Sequence, residues 1–205
     1  MSSILAITSS ALGAASVSNQ LVSDTVEALR AGSPSTNVRL RDLGEAPVPH
    51  LTALDLVPEP ATGEQRALRS LSDELIAELQ AADTLVIGAP MYNFGIPSTL
   101  KAWFDRVLRA GVTFRYTNSG PEGLLRGKRA FVVLSRGGLY SEGPAQAMDA
   151  QEPHLRTLLG FIGITDVTFI RAEKLAMGTE ERAGALAAAE ARIAEAVRRP
   201  AALAA

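Results

Sequence analysis

The 205-residue chain contains no cysteine. That removes disulfides, thiolate catalysis and cysteine metal sites together, and it favours a cytoplasmic protein. There are two histidines, His50 and His154, too few and too far apart in sequence to suggest a metal centre. No apolar run approaches the ~20 residues needed to span a bilayer, and Met1-Ser-Ser-Ile4 lacks the basic start of a secretory leader. A net charge of −2 offers neither the basic face that nucleic acid requires nor a reason to expect a membrane surface. The Gly-Lys-Ser/Thr nucleotide loop and the Gly-x-Gly-x-x-Gly fingerprint are both missing. No Lys, Arg or His precedes Arg30, so a phosphate held near the start of the chain would rest on hydroxyl and main-chain donors. What remains is ordinary for a globular enzyme: 47% hydrophobic and 20% charged residues, at a length that favours one domain over residues 1–205.

Five apolar runs read as strands: Ile4–Thr8, Val38–Leu43, Thr84–Ala89, Ala130–Ser135 and Val167–Ile170. Helical stripes lie between them, the clearest at Leu68, Leu71, Leu75, Ile76, Leu79 and at Leu100, Trp103, Phe104, Val107, Leu108; the second follows i, i+3, i+4, i+7, i+8 spacing. Weaker stripes fall at Val22–Leu29, Leu155–Ile162 and Leu186–Val197. Strict β-α alternation predicts a three-layer α/β fold, a five-stranded parallel sheet covered by helices on both faces. The flavodoxin-like order 2-1-3-4-5 is the natural arrangement. Two segments interrupt it. A proline-rich excursion runs from Ala46-Pro-Val-Pro-His50 to Pro58-Glu-Pro60, and Gly111–Gly120 alternates like an extended segment closing on Asn-Ser-Gly. The latter is expected to overhang a ligand crevice. Arg199–Ala205 is expected to fray.

In such a sheet, ligands bind outside the carboxyl ends of the strands. After strand 1 comes Ser9-Ser10-Ala-Leu-Gly-Ala-Ala-Ser16-Val-Ser18-Asn19, a hydroxyl-rich loop leading into a helix, with Ser18 the expected N-cap. A helix N-terminus with spare N–H groups suits phosphate, although serines in this place also serve simply as caps. After strand 3 comes Met91-Tyr92-Asn93-Phe94, and after strand 4 Ser135-Arg136-Gly137-Gly138-Leu139-Tyr140. Alone, the first suits a packed turn and the second an ordinary glycine turn. In the 2-1-3-4-5 order all three loops converge at the switch point, which suits a planar polar ring such as a flavin.

Ala89–Asp105, Ala110–Thr117, Gly120–Gly123, Ser135–Gly138 and Leu159–Asp166 closely resemble the FMN-dependent NADH-azoreductases, which are flavodoxin-fold NAD(P)H:quinone oxidoreductases. The resemblance implies non-covalently bound FMN contacted by Ser10, by Ser16, Val17 and Ser18, by Met91, Tyr92, Asn93 and Phe94, and by Ser135, Arg136, Gly137 and Gly138. It implies ping-pong turnover in which NADH or NADPH delivers hydride to the flavin, and a quinone or azo compound then takes two electrons. It also implies a homodimer with two sites at the interface. Tyr116, Tyr140 and Phe161 are candidates for walls against which substrate stacks, Phe161 reaching in from the partner; Tyr140 stands where some relatives would have His. No side chain is required as an acid or base, since the cofactor carries the chemistry. Arg136 and Arg115 are the candidates for a 2′-phosphate clamp. The rival readings are an electron carrier of the flavodoxin type, disfavoured by the weak net charge, and a flavin-free hydrolase or scaffold on the same fold.

Overall fold

The computed structural model describes residues 2–199; the fraying expected from Arg199 onward falls, past that residue, outside them. Five strands form one parallel sheet: β1 (Ser3–Thr8), β2 (Asn37–Asp42), β3 (Thr84–Pro90), β6 (Arg129–Ser135) and β7 (Asp166–Ala172), in the order β2-β1-β3-β6-β7. The numbers 4 and 5 belong to an antiparallel hairpin, β4 (Phe114–Thr117) and β5 (Gly120–Gly123), which the order 2-1-3-4-5 did not count. The central strands β3 and β6 are almost wholly buried, as expected of a sheet covered on both faces.

Two apolar layers flank the sheet. On one face α2 (Gly63–Ala81), α3 (Ser98–Val107) and α4 (Glu152–Phe161) bury Leu75, Leu79, Leu100, Trp103, Leu155 and Leu159. On the other, α1 (Val17–Ala31) and α5 (Thr179–Arg198) pack Leu21, Val22, Ala189 and Ile193 against Ile4, Ala6, Phe131 and Val133. The strand alternation decides this split, since Ile4 and Ala6 face one layer while Leu5 and Ile7 face the other. Helix α1 lies so close on β3 that a Cβ at Gly88 would sit 2.9 Å from Val22 Cγ2.

Helix α1 begins two residues earlier than expected. Its N-cap is Ser16, whose Oγ accepts the Asn19 N–H at 3.2 Å. Ser18 is helical and fully buried, and its hydroxyl bonds Ser16 Oγ at 3.0 Å. Extended backbone at Ser16 (φ −82°, ψ 124°) is what an N-cap requires, and Ser18, already helical, cannot supply it.

The proline-rich excursion is anchored from beneath. Arg106 of α3, with 0% of its side chain exposed, donates from Nε to the Pro49 carbonyl at 2.7 Å and from Nη1 to Asp55 at 2.9 Å and Ser72 Oγ at 3.3 Å. A capping box ends the excursion: Thr62 Oγ1 accepts the Gln65 N–H, and Gln65 Oε1 accepts the Thr62 N–H.

Candidate functional site at the carboxyl ends of β1, β3 and β6

The loops after β1, β3 and β6 meet. Tyr92 ties the first two: its hydroxyl lies 3.2 Å from Ser10 Oγ and accepts the Ala11 N–H at 3.0 Å. The Ser9 hydroxyl reaches the Gly88 carbonyl at 2.6 Å. The second and third loops are joined by the Met91 N–H on the Ser135 carbonyl at 2.9 Å and by edge-to-face contact of Phe94 with Tyr140, centroids 6.1 Å apart. Ser10, Ser16 and Ser18 are buried at the first loop, while Asn93, Phe94 and Gly137 are exposed around the hollow.

The loop after β3 is a tight two-residue turn in which Tyr92 and Gly95 exchange both main-chain hydrogen bonds at 3.1 Å. Its central residues both have left-handed φ, +48° at Asn93 and +71° at Phe94. Asn tolerates that region; a phenylalanine there is strained by about 1–2 kcal/mol. Such strain persists where the surroundings hold it, and it concentrates at ligand-binding loops. Among the described residues the Asn93 and Phe94 N–H groups at this bend have no partner.

The loop after β6 shows the same pattern. The carbonyls of Arg136, Gly137 and Gly138 accept from Leu175, Ala176 and Lys174 at 2.9–3.1 Å, and Lys174 itself has φ +61°. Among the described residues nothing accepts from the Gly137 or Gly138 N–H. At the start of α1 the Val17 and Ser18 N–H groups are also without partners, as the first donors of a helix are. Where they meet, the three loops thus present, among the described residues, six main-chain N–H groups without partners and three serine hydroxyls. That donor set fits FMN: a cation-free phosphate cradle at a helix N-terminus, and N–H groups facing a planar ring with polar edges.

The Arg136 side chain is not part of this rim. Its guanidinium, 0% exposed, turns inward to Asp149 (2.9 Å), Glu173 (3.1 Å) and the Gln151 amide oxygen (2.9 Å). Gln151 continues to the Ala89 carbonyl at the end of β3, 2.8 Å away. Glu173 also accepts from the Tyr140 and Ser141 N–H groups and from the Ser141 hydroxyl. Burial alone pushes the Glu173 carboxyl up, but the Ser141 hydroxyl, the Tyr140 N–H and Arg136 together hold it below its usual value. Arg136 therefore braces the loop, and a phosphate-clamp role for its side chain is corrected by this burial. Arg115, the other clamp candidate, is paired with Glu122 across the hairpin at 2.7 Å. Asp149, Gln151 and Glu173 escaped notice because nothing local links them to Ser135–Gly138; only the β6–β7 pairing and the start of α4 bring them together.

Tyr116 and Phe161 are elsewhere. Helices between parallel strands run back toward the strand amino ends, so the hairpin after α3 and the last residue of α4 lie at the end of the sheet opposite the three loops. The Leu125 N–H bonds the Ile162 carbonyl at 2.9 Å, and a Cβ at Gly123 would lie 2.1 Å from the Gly163 nitrogen. Phe114 stacks between Tyr116 and Phe161, at 5.6 and 4.6 Å. The expectation that Gly111–Gly120 overhangs its own chain's crevice is thereby overturned.

A parallel sheet of this order, with converging loops at its switch point, defines a flavodoxin-like protein. A profile of the flavodoxin-like fold family matches residues 2–197, and the chain belongs to that family. An FMN-dependent NADH:quinone oxidoreductase of Hyphomonas neptunium is 57% identical over 198 residues, covering 95% of each chain. One of Azospirillum brasilense is 52% identical over 194 residues, 91% of this chain and 93% of that one. The crystal structure of an FMN-dependent NADH-azoreductase from Bacillus anthracis str. Ames Ancestor in complex with FMN superposes with a TM-score of 0.89. It is 27% identical, over 98% of this chain and all (100%) of that one. Within the fold, this chain belongs to the family of FMN-dependent NADH:quinone oxidoreductases.

Proposed function

We propose that this chain is an FMN-dependent oxidoreductase, one flavodoxin-like domain over residues 1–205, that reduces quinones and cleaves azo compounds in two-electron, ping-pong turnover with NADH. The observation that carries this reading is the rim of unpaired N–H groups at Asn93, Phe94, Gly137 and Gly138, continuous with the hydroxyl-lined start of α1. When bound, FMN supplies the centre that accepts and passes on hydride. The chain's own residues bind and orient. Ser10, Ser16, Val17 and Ser18 take the phosphate, and Met91–Phe94 and Ser135–Gly138 take the ring edges; within the latter, the Arg136 N–H and carbonyl are bonded to Ala172 and Leu175 and fix the loop. Fixed donors aimed at one edge of the ring favour negative charge developing there. Phe94 and Tyr140 form an apolar wall beside the ring, where a flat acceptor stacks.

NADH is preferred to NADPH, because both arginines considered for a 2′-phosphate clamp are engaged in ion pairs. A homodimer completes the site. Tyr116, 73% exposed, and Phe161 stand at the opposite end of the sheet, which supports a dimer in which the partner's Tyr116 and the partner's Phe161 line the site. No helix among the described residues is long and apolar enough to cross a membrane, and a chain without cysteine fits the cytoplasmic location proposed for it.

The test is a visible spectrum of the protein with FMN, followed by anaerobic titration with NADH and then NADPH, and turnover of a simple quinone without added protein. A yellow protein that NADH bleaches in one two-electron phase supports the reading. A protein that stays colourless and takes up no FMN refutes it.

A further inference from the structure

A second hollow lies beside the first. Edge strand β2 has no helix over its outer half on the α1 side, and a cavity of about 760 Å³ opens there between α1 and the strand. That volume is in the range of small-molecule sites. Val22 and Val26 of α1 face Val38 and Leu40 of β2 across it. Leu40 is a large apolar side chain left 63% exposed. Two polar atoms at the upper end have no partner although buried, Thr8 Oγ1 and Asn19 Oδ1; Thr8 as a whole is 6% exposed. A hydroxyl and an amide oxygen left in this state cost stability unless a ligand or water satisfies them.

Asp42 gives the hollow its chemistry. It ends β2, in register with Thr8 at the end of β1. Its Oδ1 accepts the Gly44 and Glu45 N–H groups at 2.8 and 3.2 Å, while Oδ2 carries no hydrogen bond among the described residues. In dinucleotide-binding β-α-β units, an acidic residue at this point of the second strand holds a ribose diol. The turn after Asp42 is pressed against the first loop, since a Cβ at Gly44 would lie 2.2 Å from the Ser10 carbonyl oxygen. Ser10 and Gly13 line the cavity too, so it opens onto the phosphate end of the proposed flavin site. Glu27, Asp42 and Glu45 outnumber Arg30 around it, which disfavours a bare anion and suits a neutral nucleoside.

We propose that this trough is a second ligand site that takes an adenosine group, its base against Val22, Val26, Val38 and Leu40 and its ribose diol on Asp42. Two sources carry that group: FAD taken in place of FMN, and the adenosine half of NADH. Only the assignment of source rests on the flavin reading; the site itself does not.

Calorimetric titration of adenosine into the FMN-loaded protein, and into protein freed of flavin, tests the site. Saturable binding is expected, weakened about tenfold by Leu40→Glu, by Asp42→Asn and by 2′,3′-dideoxyadenosine as probe, with FMN affinity unchanged in both variants. Absence of saturable binding, or binding indifferent to Leu40→Glu, overturns the proposal. If Leu40→Glu lowers the preference of flavin-free protein for FAD over FMN, the group belongs to FAD. If it raises KM for NADH but not for reduced nicotinamide mononucleotide, the group belongs to NADH. Should FMN itself not bind, that failure is read separately, because adenosine titration of flavin-free protein still reports on the trough.

Discussion

Arg136→Met removes a guanidinium that is fully enclosed and leaves Glu173 and Asp149, about one-tenth exposed (10% and 11%), with the more exposed Arg171 as their nearby cation. Breaking a buried ion pair by removing one partner costs about 3–5 kcal/mol, chiefly because the remaining charge is stranded. A domain of this size has about 5–15 kcal/mol in hand, so the variant folds with a reduced margin. At about 2–4 °C per kcal/mol for a chain of this length, its melting midpoint falls by roughly 6–20 °C. The pH dependence separates the ion pair from simple loss of packing. Glu173 is held below its unfolded value, so its contribution is fully present above a pH of about 4.3 and is lost as pH falls through the lower folded value. The gap between wild type and Arg136→Met should therefore be widest near neutrality and shrink in acid. Double substitution Arg136→Met with Glu173→Gln should recover part of the loss. Urea unfolding of flavin-free protein across pH measures all of this, and FMN affinity, read by quenching of flavin fluorescence, should fall about tenfold as the Gly137–Gly138 loop loosens. A loss below about 1 kcal/mol that does not vary with pH would refute the bracing role.

Tyr92→Phe removes the bond to Ser10 and strands the Ala11 N–H; about 1 kcal/mol of stability and about fivefold in FMN affinity should go with it, measured by urea unfolding and flavin titration. Phe94→Gly relieves the positive φ at some cost in chain entropy, so flavin-free protein should be no less stable, and stabler by up to about 1 kcal/mol, while FMN binding weakens; a large destabilisation would show that the turn is not strained. His154 is held below its usual pKa by burial and by Lys101, against the opposing pull of Asp105. Its neutral form is favoured in the folded chain, so stability should fall as pH drops below about 6.5, and His154→Gln should flatten that part of the unfolding profile. Tyr116→Ala should leave FMN affinity of the monomeric chain untouched and reduce quinone turnover only where dimers form, which sedimentation and kinetics on the same samples would show.

The sheet and its helices were legible because burial imposes periodicity. Leu100, Trp103, Phe104 and Val107 fall on one face of α3 and are wholly enclosed, and the runs Thr84–Ala89 and Ala130–Ser135 carry the unbroken apolar character of strands covered on both sides. The serines after β1 and the glycines after β6 were legible as loop chemistry. The role of Arg136 was not, because an arginine before two glycines looks like a cation for phosphate. Its partners at 149, 151 and 173 become neighbours only once β7 pairs with β6. The hairpin was misplaced for a different reason. Its alternation announced an extended segment closing on a turn, but its position follows from the direction of α3, which carries the chain back to the amino ends of the strands before Phe114 is reached.

That misplacement bears on how the site works. The hollow contains rigid donors: a turn held at Asn93 and Phe94 against its own backbone preference, a loop braced by a buried arginine, and a helix start capped by Ser16. All three are set before any ligand arrives, so little reorganisation opposes binding at the moment of charge transfer. What the hollow lacks is cover. Phe94 and Tyr140 wall one side, and the exposed Tyr116 sits with Phe161 at the far end of the sheet. A hydride-transfer site needs water kept from the ring face. In the homodimer we propose, each subunit lends its hairpin end to the other's loops across a two-fold axis, and that reciprocal contact supplies the cover.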